Sequence, residues 1–284
     1  MSKKEINSRD LKIFRSHLIN EEKSAATVEK YLRDARAFIR YAKGKILSKE
    51  LTVAYKRSLE NTGYKPRSIN SMLASLNRFL DLIGAADCKV KSVRIQREAY
   101  ESEDKELSRT EYERLLSAAK GQEQLGLIIR TICATGIRVS ELRFFTVEAV
   151  RRGEATVKCK GKSRTILIPN ELKRLLLQYL KRKKRGSGEI FVTKSGKSLD
   201  RSYIWAKMKS LCSAANVSPS KVFPHNLRKL FARTFYSIEK DIAKLADILG
   251  HSSIETTRIY IMTTGLEHRK RIEKMDLVFS NQYL

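Results

Sequence analysis

Apolar side chains recur three and four residues apart through most of this chain, which is the spacing of one face of an α-helix. Over residues 8–20 the stripe is Leu11, Phe14, Leu18 and Ile19. Ser24 is placed to cap the next helix, where Val28, Tyr31, Leu32, Ala35, Phe38 and Ile39 line one side while Lys30, Arg33, Arg36 and Arg40 point elsewhere. A shorter segment runs from 48 to 60 and stops at Gly63. Pro66 opens a fourth, carrying Ile69, Met72, Leu73, Leu76, Phe79, Leu80 and Ile83. This pattern predicts an all-helical domain over residues 1–95. The periodicity then lapses: residues 96–106 are polar and acidic and read as a linker.

Ser108-Arg-Thr-Glu111 has the side chains of a capping box and starts a second domain, 107–284. Residues 124–134 are apolar enough for a buried helix, which Gly136 ends; Arg138 follows, just before a new turn with Ser140 and Glu141. The period then changes to two. Ala155, Val157 and Cys159 alternate with Thr156 and Lys158, residues 165–169 form the partner strand, and Lys160-Gly-Lys-Ser-Arg164 is the hairpin turn. A helix with Leu172, Leu175, Leu176 and Tyr179 runs into five cations, Lys181, Arg182, Lys183, Lys184 and Arg185. Residues 189–192 suggest a short strand, and 200–215 one helix in which Trp205 packs in the core or an interface. Pro219 and Pro224 bracket an irregular stretch that delivers His225 to a helix with Leu227, Leu230, Phe231, Thr234 and Phe235. After a helix over 241–249 closed by Gly250, Ser252-Ser-Ile-Glu255 has the spacing of another capping box, opening the helix that leads to Tyr260. The fold class is therefore two-domain and predominantly α-helical, the second domain being mixed α+β with a small antiparallel sheet.

Charge narrows the partner. Against 31 acidic side chains stand 58 Lys and Arg, a net +27 over 284 residues, and both halves share the excess, with +8 on residues 1–106 and +19 on the rest. Such a field points to a polyanion, nucleic acid above all. Arg33, Arg36 and Arg40 are candidates for DNA-backbone contacts; the 181–185 cluster reads equally as phosphate-facing or merely solvated. The four cysteines, 88, 133, 159 and 212, form no C-x-x-C pair and read as reduced thiols, so neither a zinc site nor another metal or cofactor is expected. No apolar run approaches the roughly 18 residues that span a bilayer. With a polar Met1–Asn7 and no apolar signal segment behind it, the expectation is a cytoplasmic, nucleoid-associated protein.

The chemistry converges on Tyr260. A phenol with an ordinary pKa of about 10 attacks at neutral pH only beside cations or a base. Arg138, Arg228, His225, His251 and a hairpin lysine, Lys160 or Lys162, are the groups available. His225 and Arg228, three apart, face one direction on a helix and can meet one phosphate. Two guanidiniums bind nonbridging oxygens as the charge on phosphorus grows, a lysine or histidine protonates the leaving oxygen, and the phosphodiester is cut without a metal. A metal-dependent nuclease would need a carboxylate cluster that the candidate residues lack. A basic architectural or regulatory DNA-binding protein explains the charge but not this set of side chains, and a type IB topoisomerase is the nearest enzymatic rival.

Three stretches carry a resemblance: Ala134-Thr-Gly-Ile-Arg-Val-Ser-Glu-Leu142, His225-Asn-Leu-Arg228, and Leu249-Gly-His-Ser-Ser-Ile-Glu-Thr-Thr-Arg-Ile-Tyr260. Over essentially its full length the chain resembles the tyrosine recombinases of the phage-integrase and Xer type. The resemblance implies a SAM-like helical core-binding domain and a catalytic domain with Tyr260 as nucleophile. It also implies Arg138 and Arg228 as phosphate clamps, His225 and His251 completing the pocket, and the hairpin lysine as general acid, Lys160 being favoured over Lys162. It further implies double-stranded DNA with specific core sites as substrate, a 3′-phosphotyrosyl intermediate and a Holliday junction. A homotetramer would act on two sites, with the C-terminal tail packing on a neighbouring subunit and a heteromeric recombinase or a directionality factor as further partners. The role expected is integration or excision of a mobile element, with Xer-like dimer resolution or DNA inversion as alternatives. Lys229 stands where many Xer relatives carry a second histidine.

Overall fold

The computed structural model describes residues 8–96, 106–159, 162–262 and 265–275. The chain divides into two compact units, Met1–Arg97 and Glu98–Leu284.

The first unit holds four helices, α1 (Ser8–Asn20), α2 (Ala25–Ala42), α3 (Lys49–Asn61) and α4 (Pro66–Leu82). Their starts are local chemistry: Ser24 Oγ accepts from the Thr27 N–H at 3.3 Å, Ser48 Oγ from Leu51 at 3.2 Å, and Pro66 occupies the first turn of α4. Phe14, Leu18, Leu32, Phe38, Phe79 and Leu80 fill the core. Ile19, assigned to the apolar stripe by spacing, is instead 54% exposed at the end of α1. Asp34 is buried and accepts from Ser75 Oγ at 3.0 Å and pairs with Lys30 at 2.9 Å. That contact draws Lys30 off the solvent face of α2, which leaves Arg33, Arg36 and Arg40 exposed along it.

The second unit opens with α5 (Arg109–Ala118), whose capping box forms with Ser108 and Glu111 as the spacing predicts. It continues through α6 (Glu123–Thr135), a 3₁₀ turn over Val139–Phe144, α7 (Val147–Arg152), the hairpin β1 (Glu154–Cys159) and β2 (Lys162–Leu167), and α8 (Asn170–Arg182). Then come α9 (Arg201–Lys209), α10 (Cys212–Ala215), α11 (Pro224–Glu239), α12 (Ile242–Leu249), α13 (Ile254–Ile261) and α14 (Gly265–Glu273). Helix α6, buried on nearly every side, is the axis around which Leu115, Phe145, Leu176, Met208 and Leu227 pack.

Four local expectations change. The hairpin is tighter than a five-residue turn: β2 starts at Lys162 in register with Cys159, so Ser163 and Arg164 are strand residues, and Arg164 lies opposite Val157. Residues 189–192 contribute isolated bridges, Thr146 to Glu189 and Val192 to Ser198, rather than a strand. The helix expected over 200–215 breaks after Lys209, where the Leu211 N–H reaches Met208 O at 3.2 Å, a tightening that buries both Leu211 and Cys212. Trp205 is half exposed beneath the Lys209 ammonium, 5.5 Å from its ring, and is not a core residue. Among the described residues no helix is long and apolar enough to cross a membrane.

Candidate active site

The site is assembled where the end of α6, the start of α11 and the α12–α13 corner close on one another. Gly136 makes this approach feasible. It ends α6 at φ +64°, and a Cβ there would stand 2.4 Å from Phe231 Cδ1 and 3.0 Å from Leu249 Cδ2. Arg228, one turn into α11 and 1% exposed, ties the three segments together. Its Nη1 donates to Gly136 O, and its Nη2 to Leu249 O at 2.6 Å and to His251 Nε2 at 3.0 Å. Burial, then the nearby Arg138 charge, pulls its pKa down to about 10, so the guanidinium remains a cation at neutral pH.

His251 follows from that contact. A guanidinium only donates, so Nε2 must accept, and the ring proton sits on Nδ1, 2.9 Å from the buried Thr257 Oγ1. Burial comes first, then Arg228, Arg138, Arg164 and His225, in pushing the imidazole down to about 4; it is neutral at physiological pH. Tyr260, only 6% exposed, lies between two histidines. Its ring centroid is 5.0 Å from that of His251, nearly parallel at 17°, and 5.0 Å from that of His225 at 46°. Its phenol acts on the Arg228 guanidinium, opposing the fall in that group's pKa. His225 sits on the first turn of α11, behind Pro224 at its first position, and is exposed.

Arg138 caps the 3₁₀ turn. Its backbone N–H donates to Glu141 Oε2 at 2.8 Å, its Nη1 to Glu141 Oε1 at 3.0 Å and its Nη2 to Gly250 O at 3.3 Å, while 39% of the side chain stays exposed. Glu141 is 3% exposed and has a second guanidinium: Arg164 Nη1 meets Oε1 at 3.0 Å and Nη2 meets Oε2 at 2.7 Å. Burial would raise the Glu141 pKa, but the Arg164 bonds and those from Arg138 together hold it below the usual carboxylate value, so it is ionised.

Arg138, His225, Arg228, His251 and Tyr260, separated by up to 122 positions, thus share one locality. Lys160 lies outside the described residues, and of Lys162 only the backbone is described, as the first residue of β2. In the 181–185 cluster three cations are already engaged by the protein: Arg182 pairs with Glu123, Lys183 lies 5.9 Å over the Tyr179 ring, and Arg185 donates to Glu189 O at 2.8 Å. Arg164 and Thr257 were not singled out by the motifs. A signal for Arg164 exists: it is in phase with Ile166 and Ile168, so strand alternation puts its charge on the buried face of the hairpin. Among the described residues no group of three or more His, Cys, Asp or Glu converges.

Residues 105–265 match the phage integrase family and residues 11–87 the phage integrase N-terminal SAM-like domain. The chain is 28% identical over 288 residues to tyrosine recombinase XerA of Pyrococcus furiosus, covering 98% of each. Its fold is shared with a lambda integrase dimer bound to a COC′ core site, at 18% identity and a TM-score of 0.72 over 91% of this chain and 96% of that one. A lambda integrase tetramer bound to a Holliday junction gives the same identity of 18% and TM-score of 0.72, over 89% and 76%. With more than half its length matched to the catalytic domain, this chain belongs to the phage integrase family, the tyrosine recombinases, enzymes of site-specific DNA recombination.

Proposed function

We propose that Tyr260 Oη attacks the scissile phosphorus of a DNA core site, that the bond from phosphorus to the 5′ oxygen breaks, and that a 3′-phosphotyrosyl linkage forms. The carrying observation is Tyr260 held between His225 and His251, with its phenol acting on the Arg228 guanidinium. Arg138 and Arg228 neutralise the nonbridging oxygens. An imidazole of the pocket takes the phenolic proton, and the hairpin lysine, Lys160 in this reading and Lys162 otherwise, gives a proton to the leaving 5′ oxygen. The linkage conserves the energy of the broken bond, so a 5′ hydroxyl rejoins the strand by the reverse steps without ATP. In the assembled enzyme four subunits act on two sites through a Holliday junction, an arrangement supported by the shared fold of the lambda integrase tetramer. The C-terminal tail after Tyr260 packs on a neighbouring subunit. The domain division is 1–95 and 107–284 with a linker between; of that linker only Gln96 and Glu106 are described. The DNA backbone runs past Arg33, Arg36 and Arg40 and past the 181–185 cluster.

The biological setting proposed is integration or excision of a mobile element, for which Lys229, buried on α11 in place of the second histidine of many Xer relatives, is the supporting residue. Xer-like dimer resolution is the second reading, favoured by the full-length similarity to XerA. Recovering the DNA cleaved in the native genome and mapping its crossover separates them. On a nicked suicide duplex built from that site, the wild-type chain traps a covalent adduct and Tyr260→Phe traps none; an adduct that survives Tyr260→Phe sinks the assignment. In the same assay, truncation after residue 264 abolishes or deregulates the adduct if the tail couples assembly to attack.

A further inference from the structure

Arg164 is the cation that the three motifs leave out, yet it is fixed beside the clamp. It stands on the core-facing side of β2, opposite the buried Val157, with 16% of its side chain exposed. Its guanidinium takes both oxygens of Glu141 in a fork, the geometry in which an arginine is least free to turn. Glu141 in turn holds Arg138 by main chain and side chain. The carboxylate therefore has four donors and two guanidiniums. Were Arg138 its only cationic partner, the pair would be neutral toward an approaching phosphate. With Arg164 present the group keeps one positive charge in excess, and the exposed guanidinium of Arg138 is the part of it that solvent and substrate reach. Arg164 also packs on Gly250: a Cβ there would lie 2.6 Å from Arg164 Nη1 and 2.9 Å from its Cδ. Gly250 O is the acceptor for Arg138 Nη2, and the next residue is His251.

We infer that Arg164 is a positioning residue for strand cleavage. Acting through Glu141 and Gly250, it holds Arg138 and the His251 corner in register with the hairpin that carries the lysine. This inference rests on the reading of Tyr260 as nucleophile.

The test uses the full chain on the nicked suicide duplex built from the mapped crossover. Arg164→Met keeps the bulk and loses the charge and the fork; Arg164→Lys keeps the charge. Arg164→Met is expected to bind the duplex as wild type does and to form adduct about 10²-fold more slowly, the scale of losing one oriented transition-state donor. Arg164→Lys recovers part of that rate. The deficit persists on a 5′-bridging phosphorothiolate duplex, because the lesion lies in the clamp and not in protonation of the leaving group. Added to Arg138→Lys, Arg164→Met costs much less than it does alone, since both act on one group. Wild-type rates for Arg164→Met overturn the inference, as do independent, multiplying effects of the two substitutions, or a lost rate that tracks lost DNA binding with no recovery in Arg164→Lys. If the wild-type chain traps no adduct, the nucleophile assignment and this inference fall together; if it traps one that Tyr260→Phe lacks, the Arg164 result stands alone.

Discussion

At the scale of single residues, the two arginines of the clamp have unlike duties. Arg138 is 39% exposed and anchored by a carboxylate, so its loss removes charge from an open surface. Arg228 is 1% exposed and supplies donors to two main-chain carbonyls on different elements. Leaving such acceptors unsatisfied costs about 1–3 kcal/mol each, so Arg228 is part of the fold as well as of the chemistry. His251 shows how that cation sets a protonation state. Its pKa is lowered from 6.5 to about 4, by burial first and by the arginines next. The unfolded chain therefore binds a proton that the folded chain refuses. The stability this histidine contributes is fully present above pH 6.5 and is lost progressively as the pH falls through 6.5 toward 4. The unfolding midpoint of the wild-type chain is expected to drop more steeply across that window than that of His251→Gln. Single-turnover adduct formation should show no inflection at 6.5, because His251 is already neutral there. A wild-type rate that rises with a midpoint near 6.5, absent from His251→Gln, would show an imidazole of ordinary basicity.

At the scale of elements, the helix carrying Tyr260 is short, 8 residues, and is held at its start by one side-chain cap. Ser253 Oγ accepts from the Glu255 N–H at 3.2 Å, so the cap lies one residue later than the spacing Ser252 to Glu255 predicts and no capping box closes. Replacing such a cap by alanine costs about 0.5–2 kcal/mol. Because α13 is short and packs on α11 and α12 at the edge of the unit's core, Ser253→Ala should release it locally: faster amide exchange over 254–261 and slower adduct formation, with the urea midpoint of the whole chain unmoved. Unchanged exchange there would show that packing of Thr257 and Tyr260, both buried, holds the helix without its cap. The larger elements were legible because each declares itself twice, by an apolar period and by a cap; Ser24, Pro66, Ser108 and Gly136 all mark real boundaries. Where only one signal exists, periodicity misplaces the boundary. Met208 before the break and Leu211 after it are both buried and apolar, so periodicity does not reveal the break. Lys162, Ser163 and Arg164 are residue types common in loops, so spacing alone makes the hairpin turn too wide. That hid Arg164, whose place depends on a partner, Glu141, that is 23 positions away in sequence. The motif residues themselves were readable as types and spacings, but the protonation of His251 was not, since it needs the distance to Arg228.

At the scale of the whole molecule, the +27 charge has to be divided between cations that neutralise the protein's own carboxylates and those left to meet DNA. The structure supports such a division. Arg33, Arg36 and Arg40 recur along one exposed face of α2; of these, Arg33 lies 3.5 Å from Asp34, a carboxylate already matched by Lys30. In the 181–185 cluster, Arg182, Lys183 and Arg185 are held by Glu123, Tyr179 and Glu189. Each phosphate contact releases counterions and adds about 0.9 to the slope of log affinity against log salt. If the α2 arginines are phosphate contacts, replacing all three by alanine should flatten that slope by about 3 on the site duplex and on unrelated duplex alike, because backbone contacts carry no sequence information. Replacing Arg182, Lys183 and Arg185 should flatten it by less and should cost stability instead, since those side chains are bound to the protein. Equal flattening by the two triples would mean that the intramolecular partners of the cluster are given up on DNA, and the free chain would then be a poor guide to which cations the complex uses.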